Sequence, residues 1–297
     1  MIKIIGKCIL NILKIRPEKV YELYYKKLSK WSIRMCIAEN GYEELLKKLK
    51  KIVPDISNQE EGEKESFNDY WELKRRALQA FQCSLMLKAL EYFSGNNLMV
   101  VDIGDSAGTH MLYLKALTKE RYCIDTISVN LDPRAIEKIE QRGLKALLCR
   151  AEELNLKDRH IDVCTSFQMV EHLHNPAVFF HNLSKKSTCN KLLITVPYVK
   201  KSRVGLHNLR KGSDKIIFAE DEHIFELSPE DWKLLILHTG WKVIDSKIYY
   251  QYPKRWPIVS SLFALYWRKN DFEGFWGAIL EKDATFSERY KDWEDSV

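Results

Sequence analysis

Short apolar segments alternate with helix-length segments between residues 98 and 196, and this alternation constrains the fold more than any other feature. Parallel strands need a crossover connection, usually a helix, so the order favours an α/β fold with a parallel sheet and helices on both faces. The predicted strands are Leu98–Ile103, Cys123–Leu131, Leu144–Cys149, Ile161–Phe167 and Lys191–Val196, and the predicted helices are Ala107–Thr118, Pro133–Arg142 and a segment near Pro176–Leu183.

Helical patterns dominate the chain before the first predicted strand. Apolar side chains recur at spacings of three and four within residues 1–53, and Pro17 is predicted to separate two helices. Residues 54–66 turn polar and acidic, which is typical of a linker or exposed loop. A further helix is predicted from Asn68 to Phe93, before a Ser-Gly-Asn-Asn turn. We therefore predict a helical N-terminal extension over residues 1–96.

The charge of +6 is concentrated at the start of the chain, where residues 1–31 hold eight basic and two acidic side chains. The rest of the chain is balanced, so a chain-wide nucleic-acid surface is not expected, and an anionic partner should lie near the N-terminus or at a local basic cluster. The seven cysteines are scattered without a CxxC pair. This pattern is typical of reduced thiols and predicts a cytoplasmic protein.

An acidic residue at a strand end is followed by two glycines in the segment Val100–Gly108. Asp102 ends the strand, and Gly104 and Gly108 bracket a tight turn into the next helix. Glycine permits a close backbone approach to a ligand, so this turn is a candidate binding loop. The four-residue spacing differs from the GxGxxG pattern of dinucleotide enzymes. The alternative is a strand, turn and helix that bind no ligand.

Together with the segments that follow it, this loop resembles the first motif of the class I S-adenosylmethionine (SAM)-dependent methyltransferases. The resemblance extends roughly from Asn97 to Lys282 and includes the segments Ile161–Leu173, Leu192–Tyr198, His223–Glu230, Thr239–Ile244 and Gly277–Lys282. It implies a Rossmann-like seven-stranded sheet and SAM as the cofactor. The loop around the methionine part of SAM would then consist of Asp102, Gly104, Ser106, which stands where the family has glycine, and Gly108.

The same resemblance assigns the remaining cofactor-binding residues. The second strand ends near Asn130, at the position where the family has an acid that binds the ribose, and Asp132 on the same strand face is an alternative. Glu152 is the candidate near the adenine. The segment after the fourth strand is similar to that of the family's small-molecule branch, which includes quinone-ring and sugar methyltransferases. There Phe167 and Gln168 would line the cofactor site.

Three histidines are candidates for acid-base chemistry on the acceptor. In the resemblance, a Glu-His pair opens the helix after strand four, which places His172 near the acceptor as a general base. Helix capping or packing is the alternative role. His207 and His223 flank a basic loop after strand five, which would bind a phosphate or carboxylate of the acceptor or remain a solvated loop. No metal is expected, because methyl transfer needs none and the sequence shows no metal-ligand spacing.

Two segments combine apolar and basic residues: the N-terminus, and the stretch from Lys254 to Lys269 with tryptophans at its ends. Such helices suit a membrane interface, and the alternatives are a lid over the acceptor pocket or a dimer contact. We place the SAM-binding domain at residues 97–283, an inserted helical segment within it at 251–275, and a C-terminal tail at 284–297.

The predicted function is methyl transfer from SAM to oxygen, nitrogen or carbon of a small acceptor, such as a sugar or a lipid-linked molecule. The protein would be cytoplasmic, with a peripheral contact at the inner membrane surface as an open alternative. A non-catalytic relative that keeps the fold as a binding or scaffold module is the competing hypothesis.

Overall fold

The computed structural model describes residues 17–57, 59, 68–214, 216–217 and 221–290. The basic, apolar segment before Pro17 and most of the polar segment at 60–67 therefore lie outside the described residues. Among the described helices, none is both long enough and apolar enough to cross a bilayer.

A seven-stranded sheet forms the centre of the protein. Its strands are β1 Asn97–Ile103, β2 Cys123–Asn130, β3 Lys145–Leu148, β4 Val163–Phe167, β5 Lys191–Pro197, β8 Trp241–Tyr250 and β9 Gly274–Lys282. Their order in the sheet is β3-β2-β1-β4-β5-β9-β8. Strands β1 to β5 pair in parallel, whereas β9 is antiparallel to both β5 and β8. The predicted Rossmann-like α/β class is confirmed.

Helices cover both faces of the sheet. Before the sheet lie α1 Pro17–Asn40, α2 Glu43–Ile52 and α3 Asp69–Leu90; the crossovers carry α4 Thr109–Thr118, α5 Pro133–Gln141 and α6 Pro176–Lys185; and α8 Pro229–His238 precedes β8. Successive residues of β1 point to opposite faces, so Val100 joins the core beneath α3 and α4, while Val101 joins the core beneath α6 and α8.

The start of the predicted linker is partly packed on the domain. Ile56 and Gln59 are buried, whereas Pro54 and Asp55 are exposed, and the Arg76 side chain on α3 donates hydrogen bonds to the carbonyl oxygens of Val53 and Pro54. The prediction was wrong at Ile56 and Gln59 because polar composition does not show that a neighbouring helix supplies a buried donor. This segment therefore lies on the domain, close to the loop after β1.

The segment between β8 and β9 forms the helix α9 Pro257–Asn270, which packs against α1. The Trp31 ring contacts Phe263 at a centroid distance of 5.4 Å, and Trp267 is fully buried with its indole N–H donating to the Ser32 hydroxyl. The predicted role of Trp267 as an interfacial anchor is wrong, because the apolar residues of α9 occupy two faces. Trp256 at the other end is exposed.

The basic loop after β5 is a structured flap. It contains a small hairpin, β6 Arg203–Val204 with β7 Phe225–Glu226, and the single turn α7 His207–Arg210. Gly205 lies so close to the backbone of His223 that an added Cβ would sit 2.2 Å from the His223 carbonyl oxygen. The hairpin therefore holds the two flanking histidines together.

Candidate active site

The loop after β1 bends sharply beneath a residue from the turn after β4. Gly104 has a φ of +89°, and an added Cβ would lie 2.5 Å from Cγ of Met169. Gly108 also has a positive φ and begins α4, but its Cβ would meet Leu144 of the protein core. Both glycines are therefore required by a positive φ and by a protein neighbour, and Gly104 also lines the cavity described next.

A narrow cavity of about 50 Å³ lies at the carboxyl ends of β1 and β4. Its lining includes four of the residues predicted to hold the cofactor, namely Asp102, Gly104, Ser106 and Phe167, together with Gln59, Asp105, Thr109 and His110. Ligands of open α/β sheets bind outside the carboxyl ends of the strands, which is where this cavity lies. A larger, shallow depression lies at the amino ends of β1 and β2 and is therefore remote from this site.

Asp102 places a carboxylate on the floor of the cavity. Its Oδ1 accepts a hydrogen bond from the Thr165 hydroxyl, whereas Oδ2 is buried and has no hydrogen-bond partner among the described residues. Burial and the charge of Asp105 raise the pKa of Asp102 well above its usual range. An oxygen of this kind suits a cationic donor on a ligand.

His110 is a further polar residue of the cavity. Its Nε2–H donates to Oε1 of Gln82, whose amide donates to the Thr195 hydroxyl; the same hydroxyl also accepts from the Gln168 amide. Burial lowers the pKa of His110 to about 4, so the ring is neutral at pH 7. The chain of bonds fixes Gln168, which has a φ of +54°, beside the end of β4.

The two ribose candidates make different contacts with the protein. Asn130 ends β2; its amide donates to the carbonyl oxygen of Asp105, and its Oδ1 accepts from the backbone N–H of Asp132. The Asp132 carboxylate caps α5 by accepting from the backbone N–H of Arg134. Asp132 thus has a structural role as an N-cap. Asn130, which contacts the loop after β1, stays the predicted ribose ligand.

The adenine candidate lies outside the cavity. Glu152 is half-buried in a single 3₁₀ turn after β3, where its backbone carbonyl accepts from the Asn182 amide. The role of its carboxylate stays a prediction.

The three candidate histidines, His172, His207 and His223, lie in one cluster beside the loop after β1. The rings of His172 and His223 are nearly perpendicular, with centroids 4.7 Å apart. Nδ1 of His223 lies 3.3 Å and Nδ1 of His207 lies 3.6 Å from Oε1 of the buried Glu226, which also pairs with Arg203. Burial lowers the pKa of His223, but the hydrogen bond to Glu226 and the nearby carboxylates outweigh this effect and raise it overall.

The Glu-His pair does not open a helix as expected. Glu171 and His172 lie in the 3₁₀ turn Val170–His172, and α6 begins only at Pro176, capped by the Asn175 side chain. Proline at the first helical position and an asparagine cap fix the start of the helix there. The pair is consequently held in a tight turn two residues after Met169, next to the loop of β1.

Several residues of the site were not predicted from the sequence. Gln59 covers the cavity and donates to the Thr109 hydroxyl, and the Phe272 ring stacks on His223 at a centroid distance of 5.4 Å. Neither lies in a motif. Glu171 and Glu226 lie in segments that carry the family resemblance, but the sequence does not show that their side chains are buried.

Comparisons with known proteins agree with this architecture. Residues 101–186 match the family model described as a methyltransferase domain. No curated protein matches the sequence. Solved structures with the same fold include an O-methyltransferase from a trans-AT PKS multienzyme of Brevibacillus brevis in complex with S-adenosyl-L-homocysteine, with 14% identity, coverage of 74% of this chain and 79% of that chain, and a TM-score of 0.51.

Two further structures show the same fold. One is a proposed sarcosine dimethylglycine methyltransferase from Galdieria sulphuraria, with 14% identity, coverage of 82% and 98%, and a TM-score of 0.50. The other is the [4+2]-cyclase SpnF, with 12% identity, coverage of 84% and 96%, and a TM-score of 0.50. The match over residues 101–186 shows a methyltransferase domain within the seven-stranded sheet. The solved structures show that this sheet has the fold of class I SAM-dependent methyltransferases.

Proposed function

We propose that this protein transfers the methyl group of SAM to a small-molecule acceptor, such as a sugar or a lipid-linked molecule. The observation that carries the proposal is Oδ2 of Asp102, a buried carboxylate oxygen on the floor of a cavity at the carboxyl ends of β1 and β4. Oδ2 accepts no hydrogen bond from the described residues, and Nδ1 of the neutral His110 ring lies 3.8 Å away. The ammonium group of the methionine part of SAM supplies the charged donor that this oxygen lacks.

The residues around the cavity fit the rest of the cofactor. Gly104 and Ser106 line the cavity and would let the methionine part approach the backbone, and Phe167 provides an apolar wall. Asn130, outside this lining at the end of β2, would bind the ribose. When bound, SAM supplies a methyl group that is already activated on a positively charged sulfur. The protein then needs to orient the acceptor and exclude water.

Cofactor entry requires a movement of the segment that covers the cavity. The present volume of about 50 Å³ is far below the roughly 300–1,000 Å³ of small-molecule sites. Gln59 covers it through two neutral hydrogen bonds, to Thr109 and from Gln79. Each contributes about 0.5–1.5 kcal/mol, which binding of a large charged cofactor can offset.

The acceptor is expected beside the histidine cluster. His172 donates from Nδ1 to the Glu222 carbonyl oxygen, so a neutral ring carries its acceptor lone pair on Nε2, as a general base requires. Arg203 and Arg210 of the basic loop bind Glu226 and the carbonyl oxygens of Val204 and Gly205. Because these two arginines support the flap, a phosphate or carboxylate of the acceptor would be bound by the lysines of this loop.

A lipid-linked acceptor is supported by the outer face of α9. Ile258, Leu262 and Leu265 are 79%, 64% and 62% exposed and recur at helical spacing. Lys254 and Arg255 lie just before the helix, beside the exposed Trp256. An apolar face with basic flanks suits the surface of an anionic membrane, and we propose a cytoplasmic protein that contacts it from the inner side.

The competing function is a binding or scaffold module without catalysis. The small cavity, Ser106 in place of a glycine and Asn130 in place of an acid favour it. The two hypotheses differ in whether the protein binds SAM.

Titration calorimetry of the full-length protein with SAM and S-adenosylhomocysteine tests the proposal. We expect micromolar binding that Asp102→Asn weakens by at least about tenfold, since a charged hydrogen bond contributes about 1.5–3 kcal/mol. Asp125→Asn, an exposed change on the neighbouring strand β2, is the matched control and should leave SAM affinity unchanged. Absence of SAM binding to the wild-type protein would favour the scaffold.

A further inference from the structure

Three side chains from separate parts of the chain converge beside the loop of β1. Glu171 and His172 come from the turn after β4, and His223 comes from the flap. One potential ligand atom from each lies within 4.8 Å of the other two. The cluster is adjacent to the cofactor loop, because Met169 of the same turn packs on Gly104.

Both histidines are held in the tautomer that binds a cation. Nδ1 of His172 contacts the carbonyl oxygen of Glu222 at 3.1 Å, and Nδ1 of His223 contacts Oε1 of Glu226 at 3.3 Å. Because both partner atoms are acceptors, both Nδ1 atoms carry the proton, and the coordinating lone pair of each neutral ring lies on Nε2. Metal-binding histidines commonly donate their other ring N–H to a carboxylate or a backbone carbonyl in this way.

Glu171 supplies an independent indication of a ligand. Its side chain is fully buried, and neither carboxylate oxygen has a hydrogen-bond partner among the described residues. An isolated buried carboxylate costs several kcal/mol, so the arrangement calls for a cation.

We propose that Glu171, His172 and His223 bind one divalent transition-metal ion. Two imidazoles and one carboxylate suit Zn²⁺ or another first-row ion, whereas Mg²⁺ and Ca²⁺ prefer oxygen ligands. Around Zn²⁺ the ligand atoms sit about 2.0–2.2 Å from the metal, so the three side chains draw inward by roughly 1 Å on binding. Rotation of the two rings supplies this movement.

The catalytic role of this cation site depends on the proposed methyl transfer, because the ion would bind the methyl acceptor. Three protein ligands leave a coordination position open, and in catalytic sites that position takes a water or the substrate. Here it takes an oxygen of the acceptor, so the acceptor class is a molecule with a hydroxyl group that binds the ion. A coordinated hydroxyl ionises more readily than a free one, and the cation also fixes its position beside SAM. With the ion bound, His172 serves as a ligand and not as the general base, so the hydroxyl proton passes to solvent water.

Titration calorimetry of chelator-treated, full-length protein with Zn²⁺ alone tests the site. We expect one ion per chain and a dissociation constant in the micromolar range or below. Glu171→Gln and His223→Gln should each weaken binding by at least about 100-fold, and Glu226→Gln, which removes the support of His223, by about 10–100-fold. His160→Asn, an exposed histidine at the amino end of β4, is the matched control and should leave affinity unchanged.

A spectroscopic test does not depend on any variant folding. Co²⁺ added to the wild-type protein should give the intense visible absorption of a low-coordinate site, and equimolar Zn²⁺ should remove it. Absence of stoichiometric Zn²⁺ binding, or full binding in both Glu171→Gln and His223→Gln, would overturn the proposal. SAM binding measured on the same samples separates the two conclusions: loss of Zn²⁺ binding alone refutes the cation site, and absence of SAM binding alone refutes the proposed function.

Discussion

Met169 packs directly over the Cα atom of Gly104, so that a β-carbon at position 104 would overlap the methionine side chain. This contact joins the loop of β1 to the turn that carries Glu171 and His172. The glycine is therefore required both by its φ of +89° and by a protein neighbour.

Gly104→Ala should lower SAM affinity and also destabilise the protein by about 1–3 kcal/mol, because the backbone is strained and Met169 must move. Calorimetry with SAM and urea unfolding measure the two effects. In the Met169→Ala background the loss of stability should shrink, since the contact with Cγ at 2.5 Å is gone and only the one with Cβ at 2.9 Å remains. If stability is unchanged by Gly104→Ala, the packing explanation fails.

Asn130→Asp should strengthen SAM binding several-fold and slightly lower the stability of the free protein. A carboxylate forms a charged hydrogen bond with the ribose worth about 1.5–3 kcal/mol, while the loop loses the neutral bond to the Asp105 carbonyl, worth about 0.5–1.5 kcal/mol. Asp132→Ala should cost about 1 kcal/mol of stability as a lost N-cap, with no change in SAM affinity. A tenfold loss of affinity in Asp132→Ala would instead make Asp132 the ribose ligand.

His110 should make the protein less stable in mild acid. Its pKa in the folded protein is about 4, below the ordinary value of 6.5, so between these values the unfolded chain binds a proton that the folded protein does not. The stabilising contribution is complete above about pH 6.5 and is lost as the pH falls, by about 2 kcal/mol at pH 5. Urea unfolding of wild type and His110→Gln at pH 7 and pH 5 measures it. Equal pH dependence in the two proteins would contradict this assignment.

Gly205→Ala should destabilise the protein by about 1–3 kcal/mol, because the new methyl group overlaps the His223 carbonyl and forces the backbone to shift. SAM affinity should be unaffected, since the flap lies outside the cofactor cavity. Gly95→Ala is the matched control, with nothing within 4 Å of its added Cβ, and should be close to neutral in urea unfolding. Equal stabilities for the two variants would show that the flap accommodates the methyl group.

Replacement of Ile258, Leu262 and Leu265 by serine should reduce binding to vesicles of anionic lipid by more than about 100-fold, since each buried aliphatic side chain contributes about 1.5–3 kcal/mol. Leu234→Ser, at an exposed position on α8, is the control. Flotation at low and high salt measures binding. If the wild-type protein does not float with these vesicles at low salt, a lid or a dimer contact becomes the preferred role of α9.

The contribution of the basic N-terminus can be tested separately. A deletion should remove residues 1–16 only, because α1 begins at Pro17 and supports α9 through Trp31 and Ser32. Loss of four basic side chains should weaken vesicle binding by about 1 kcal/mol each and make the remainder less salt-sensitive. Unchanged SAM affinity would show that the fold is intact.

Local sequence patterns were sufficient for the five parallel strands and the loop after β1, whereas the seven-stranded sheet was predicted from the family resemblance. Strands β1 to β5 and the turn at Gly104 are signalled by apolar runs and by glycine, which act over a few residues. The contact of His172 with His223 depends on how a flap folds across the site, and no spacing in the sequence encodes it. Trp267 was misassigned for a related reason, since α9 has apolar residues on two faces and only packing on α1 shows which is buried.

The connection between α9 and β9 is very short. Phe272, which stacks on His223, stands two residues after the last residue of α9 and two before the first of β9. β9 is hydrogen-bonded on both sides, to β5 and to β8. Because the connection is too short to absorb a tilt of α9, such a tilt would displace the Phe272 ring. Contact of the outer face of α9 with a surface would therefore shift the position of His223. The rate of methyl transfer would then differ between the free protein and the protein bound to that surface.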